Sequence, residues 1–90
     1  MINQKIVQSR REVQRQFPPG SFMIGEDGRL YLIIGWVPTR PTLRSDGTIR
    51  VPSRWEAVVV TRGSHVEYID WERVRNCWTI EEWEQLDATG

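Results

Sequence analysis

The sequence predicts a mainly β domain with flanking helices (α+β), built on a five-stranded antiparallel meander. Three observations point there. Asp-Gly steps at Asp27-Gly28 and Asp46-Gly47 each fall between apolar segments, the strongest short-range hairpin signal, because glycine supplies the positive φ such turns need. The run Val58-Val59-Val60 is β-branched. Both ends instead carry helical signals, an apolar stripe over residues 2–16 and a capping box at Thr79.

At 100° per residue, Ile2, Ile6, Val13 and Phe17 fall on one side of a helix over residues 2–16, although Ser9 and Arg10 interrupt the stripe. Pro18-Pro19-Gly20 stops it, since proline lacks an N–H and disfavours helical geometry before it. A helix of this length is marginal alone in water and must dock on a sheet or on a second copy.

The period changes at Ser21. Phe22-Met23-Ile24 leads through Glu26-Asp27-Gly28 into Leu30-Tyr31-Leu32-Ile33-Ile34-Gly35-Trp36-Val37, which has no polar alternation. A strand apolar on both sides is usually covered on both sides, so residues 30–37 are expected at the centre. A barrel interior would cover one face and the N-terminal helix the other. Pro38 and Pro41 mark an edge or corner. A three-residue turn at Ser45-Asp46-Gly47 pairs Arg44 with Thr48, Leu43 with Ile49, Thr42 with Arg50 and Pro41 with Val51. A two-residue turn would mix the faces. Trp55–Thr61 and residues 65–69 complete the strands, joined by Arg62-Gly63-Ser64.

Asp70 is placed to cap a single turn through Trp71-Glu72-Arg73-Val74. Thr79-Ile80-Glu81-Glu82 then opens a short helix over residues 80–87, with Ile80 and Trp83 inward. The organisation expected is one domain over residues 1–90: helix 2–16, meander 21–69, then turn and helix 70–87. In scale and strand rhythm it resembles a small SH3-like barrel, a likeness of architecture that carries no function.

Composition narrows the chemistry. The 90 residues carry 12 basic and 12 acidic side chains, yet residues 1–62 hold ten basic against five acidic and residues 63–90 two against seven. The halves neutralise each other in the fold or leave a basic face for an acidic partner. One cysteine, Cys77, suits a reducing, cytoplasmic setting. No apolar stretch approaches the roughly 18–20 residues that span a bilayer, and the N-terminus has no signal-peptide pattern. With one His and one Cys, no metal-ligand spacing occurs, and no metal or cofactor is expected. No phosphate-loop motif is present, Cys77 and His65 have no reason to meet, and Glu81, Glu82 and Glu84 read as capping and solubility. The expectation is a protein that is not an enzyme.

Arginine outnumbers lysine eleven to one, and five tryptophans are many for this length. The predicted register puts Arg40, Arg44 and Arg50 on the side of the hairpin opposite Leu43, with Arg54 just beyond and Trp36 and Trp55 nearby. These six residues form the candidate binding set. Two functions suit it: a non-catalytic module making protein–protein contacts, including self-association, or an accessory protein binding single-stranded nucleic acid through guanidinium and ring.

Overall fold

A computed structural model describes residues 8–50 and 54–89, with side chains described as far as Leu86. The elements are α1 (Arg10–Gln16), β1 (Phe22–Ile24), β2 (Leu30–Pro38), β3 (Thr42–Leu43), β4 (Ile49–Arg50), β5 (Trp55–Thr61), β6 (Val66–Asp70), α2 (Trp71–Val74) and α3 (Ile80–Thr89).

The expected five-stranded meander and SH3-like barrel are not what forms. Six strands make an open four-stranded antiparallel sheet, ordered β1-β2-β5-β6, and a separate two-stranded β3-β4 ribbon. The reason lies in pairing. Strand β2 pairs directly with β5 over Tyr31↔Thr61 to Pro38↔Trp55, so β3 and β4 are the far end of one long hairpin, not rungs of the sheet. With that pair displaced into an arm, too few strands remain for a sheet to curl and close. The arm's own register is the predicted one, Thr42↔Arg50 and Leu43↔Ile49. Val51, the expected partner of Pro41, lies outside the described residues.

The two Asp-Gly turns are built alike. Gly25 N–H donates to the Arg29 carbonyl (2.9 Å) and Gly28 N–H to the Gly25 carbonyl (2.9 Å). Likewise Arg44 N–H donates to Thr48 O (2.7 Å) and Gly47 N–H to Arg44 O (3.0 Å). In both, the aspartate Oδ1 accepts the amide two residues on, from Arg29 at 3.0 Å and Thr48 at 2.9 Å. Gly28 and Gly47 have φ of 79° and 88°, the left-handed geometry that a three-residue hairpin loop requires.

The N-terminal helix is also shorter than expected. Ser9 has extended backbone (φ −72°, ψ 163°), so no helix runs continuously from 2 to 16. Ser9 is instead the N-cap: its Oγ accepts Glu12 N–H, and Glu12 Oε1 accepts Ser9 N–H at 3.0 Å. Reading the stripe through Ser9 mistook a capping box for a helix interior. The stretch 2–7 of that expected helix lies outside the described residues. What α1 contributes is Val13, buried like the Phe17 that follows it, in one cluster with Met23, Ile33, Val59 and Val74.

Strand alternation puts Met23, Tyr31, Ile33, Ala57, Val59 and Ile69 on the face under α1 and α2. Asp70 caps α2 by accepting Glu72 N–H (3.1 Å). Thr79 caps α3 as expected, with Thr79 N–H to Glu82 Oε1 at 2.9 Å and Glu82 N–H to Thr79 Oγ1 at 3.1 Å. Ile80 is half-buried, but Trp83 is 39% exposed and packs edge-on against Trp78, with ring centroids 5.6 Å apart. Just before α3, Trp78 exchanges two backbone hydrogen bonds with Ile24 (2.8 and 2.9 Å), closing the β1 edge of the sheet.

Candidate functional site

The face of the sheet turned away from α1 and α2 is covered at its β1 corner, where Ile24 is buried, and is otherwise open among the described residues. Cross-strand pairing assembles it: Phe22 beside Leu32, Leu32 beside Val60, Val60 beside Val66, and Val58 beside Tyr68. The register slips between Ile33 and Gly35, so Ile34 is an extra residue bulging from β2. The bulge restores inward alternation for Trp36 opposite Ala57 and leaves Ile34 exposed.

The face is apolar and wet. Phe22 is 47% exposed and Val66 54%, and Leu30, Ile34 and Tyr68 are comparably open. Leu32, Val58 and Val60 between them are half-buried. Large apolar side chains scattered on a surface mean little, but a contiguous row across neighbouring strands marks a contact site. At the turn end the face dips into an open groove of about 930 Å³, lined by Phe22, Leu30, Leu32 and Val60 together with the polar Arg29, Arg62 and His65. At the opposite end the Arg40 guanidinium lies over the Tyr68 ring, 5.3 Å from its centroid.

The six residues of the sequence-derived set separate. Arg44 and Arg50 stand exposed on the arm, on the same side as Thr42 and Thr48 by register. Arg40 is turned back onto Tyr68. Arg54 is held by acids: its Nε donates to Asp70 Oδ1 at 2.8 Å, and a terminal nitrogen donates to Asp70 Oδ2 and Glu72 Oε1, both at 2.6 Å. That contact raises the Arg54 pKa further and holds the Asp70 carboxyl below the usual carboxylate range, against an opposing push from burial. Trp36 packs on the core and its indole donates to the Phe17 carbonyl at 2.9 Å. Trp55 is half-buried with the Arg10 guanidinium 5.2 Å from its ring centroid. The structure thus brings Arg44 and Arg50 together and sends the other four to separate structural contacts.

What residue-by-residue reading missed is Phe22, Leu30, Ile34, Val66 and Tyr68. The signal was present in the unalternating run 30–37, which does feed both faces of the sheet. A run without alternation implies cover on both faces, but most of this face is open among the described residues.

Other groups offer little chemistry. Cys77 sits in the core cluster, its Sγ donating to the Arg73 carbonyl at 3.4 Å, whereas His65 borders the groove on the open side. Among the described residues no three His, Cys, Asp or Glu side chains gather where they could hold a metal ion, and no helix is long and apolar enough to cross a membrane. Tyr31 donates to Asp27 Oδ2 at 3.1 Å; burial first, then that carboxylate, raises the phenol pKa. Arg29 N–H, the largest influence on Asp27, lowers its carboxyl.

Fold and site together define a small α+β protein with one face of its sheet packed by helices and the other apolar and, among the described residues, largely open. No protein-family model, curated protein or solved structure matches the chain.

Proposed function

We propose that the protein is a non-catalytic binding module that acts through protein–protein contacts on its open sheet face. The observation that carries this reading is the contiguous row Phe22, Leu32, Val60, Val66, exposed at Phe22 and Val66 and half-buried between them, with exposed Leu30, Ile34 and Tyr68 around it, in a chain too small to spare so much apolar surface. Polar groups border the row, with Arg29 and Arg62 lining the groove at one end and the Arg40–Tyr68 stack at the other, the layout of an interface with a dry centre and a wet edge. A cytoplasmic setting suits the one buried thiol.

The nucleic-acid reading has less support. It needs free guanidinium groups beside open rings, but Arg54 is engaged by two carboxylates, Arg40 by Tyr68, and Trp36 is committed to the core.

The test is site-specific photo-crosslinking in cells, with the reactive group at Val66 on the open face or at Arg11, exposed on α1. Discrete protein adducts from position 66 and none from position 11 are expected. Equal labelling from both positions, or none from position 66, overturns the reading.

A further inference from the structure

Leu43 and Ile49 face each other across the arm and are 75% and 65% exposed. Arg44, Arg50, Thr42 and Thr48 occupy the arm's opposite side. A ribbon this short and amphipathic needs something beneath its apolar side. The described residues of its own chain do not bring the groove to it: the arm leaves the sheet at the Pro38/Trp55 end, where Thr39 N–H donates to Arg54 O at 2.9 Å, whereas the apolar groove lies at the Leu30–Leu32 end of the same strands. Pro38 and Leu32 are six residues apart along β2, roughly 20 Å of extended chain, and the long hairpin carries the arm away from the groove.

We infer that the open face takes a second copy of this chain, each copy laying the Leu43–Ile49 side of its arm into the Phe22–Leu30–Leu32–Val60 groove of the other. The inference rests on the open face being a protein-binding surface and names what binds there. One closed two-fold contact then covers both apolar surfaces that the monomer leaves wet. It also leaves Arg44 and Arg50 pointing to solvent, where charge costs nothing. Area supports use of the arm. Four strands about 4.8 Å apart, each about five residues long at about 3.3 Å per residue, present a plan area of roughly 300 Å². A stable interface takes about 800 Å² from each partner. Accessible surface exceeds plan area on a corrugated face, but a face-on-face contact alone still falls short of that, and the arms supply further apolar surface on each side.

Sedimentation of the full chain at high micromolar concentration tests this. The native protein is expected to be dimeric, and both the arm variant (Leu43→Asp with Ile49→Asp) and the face variant (Phe22→Asp with Val66→Asp) monomeric. Mixing the two variants should restore a heterodimer, because an intact arm then meets an intact groove once. Its dissociation constant should be roughly 10²-fold or more above that of the native dimer, because one of two linked contacts is gone. If the face variant fails to fold by circular dichroism, Phe22→Ser with Val66→Thr replaces it. A native monomer, a mixture that stays monomeric at about a thousandfold the native dissociation constant, or open chains that grow with concentration overturns the inference. Failure of the broader reading looks different: crosslinks from position 66 to other proteins alone keep the binding face and remove the second copy, whereas no position-specific crosslinks remove both.

Discussion

Arg54 grips Asp70 with two parallel hydrogen bonds, Nε to Oδ1 at 2.8 Å and a terminal nitrogen to Oδ2 at 2.6 Å. The same Asp70 carboxylate accepts Glu72 N–H and starts α2, so one side chain ties the arm's base to the helix covering the sheet. A planar guanidinium fits a carboxylate in this two-pronged way; lysine could not. The Asp70 pKa is lowered in the fold, chiefly by Arg54. A depressed carboxylate contributes stability that is full above its unfolded value near 4 and is lost as pH falls through the folded value. Asp70→Asn should therefore be less stable than the native protein at neutral pH, with the gap closing below about pH 4. Asp70→Ala, which also loses the cap, should cost about 1–2 kcal/mol at pH 7. Urea melts across pH 2–7 measure both. A gap of the same size at pH 2.5 would remove Asp70 as the source.

Core and open face should respond differently to truncation. Val59 is fully buried on the helix-covered side, and Val66 sits across the sheet in water. Val59→Ala should cost about 2 kcal/mol from lost burial and the cavity left behind. Val66→Thr should lie within about 0.5 kcal/mol of native when measured at low concentration, where no partner is bound. Denaturant melts at two protein concentrations check this. A large loss from Val66→Thr in the dilute chain would mean that something in the same molecule covers the face.

How far these features could be read from sequence depends on how local each one is. The Asp46-Gly47 register, the Asp70 cap and the Thr79 capping box lie within a few residues of chain, and all three form as the side-chain chemistry dictates. The Ser9–Glu12 box is equally local and was overlooked because the hydrophobic stripe ran through it. Barrel closure is not local. It turns on whether β2 takes β3 or β5 as its neighbour, and both have apolar residues to offer. The candidate site fared likewise: that Arg44 and Arg50 share a face follows from a turn, but the capture of Arg54 by Asp70 and Glu72 joins residues 16 and 18 positions apart.

Trp36 illustrates a long-range contact with a measurable consequence. Its indole N–H meets the Phe17 carbonyl 19 positions away at 2.9 Å, fastening the end of α1 to β2. Trp36→Phe keeps the ring on the core and removes the donor. The expected cost is about 1 kcal/mol, the net worth of one hydrogen bond at the edge of the core. Amide exchange should quicken in α1 more than in β5. Uniform quickening through the molecule would indicate a general packing defect instead.

The turn between β5 and β6 stores a small strain. Ser64 is the one non-glycine residue among those described with positive φ, at 66°, and it follows Gly63 at 95°. Its N–H donates to the Thr61 carbonyl at 3.0 Å, so the turn holds this geometry while the serine Cβ crowds its own backbone. Glycine has no Cβ and removes that cost, but loses more freedom on folding, which offsets part of the gain. Ser64→Gly should stabilise the protein by about 0.5 kcal/mol. Gly28→Ala makes the reverse change at φ 79°, where an added Cβ meets nothing within 4 Å, so only the backbone conformation is tested. It should destabilise by about 1 kcal/mol. Thermal melts of the two variants should move in opposite directions from the native midpoint. If both fall, the Ser64 side chain makes a favourable contact worth more than the strain it imposes.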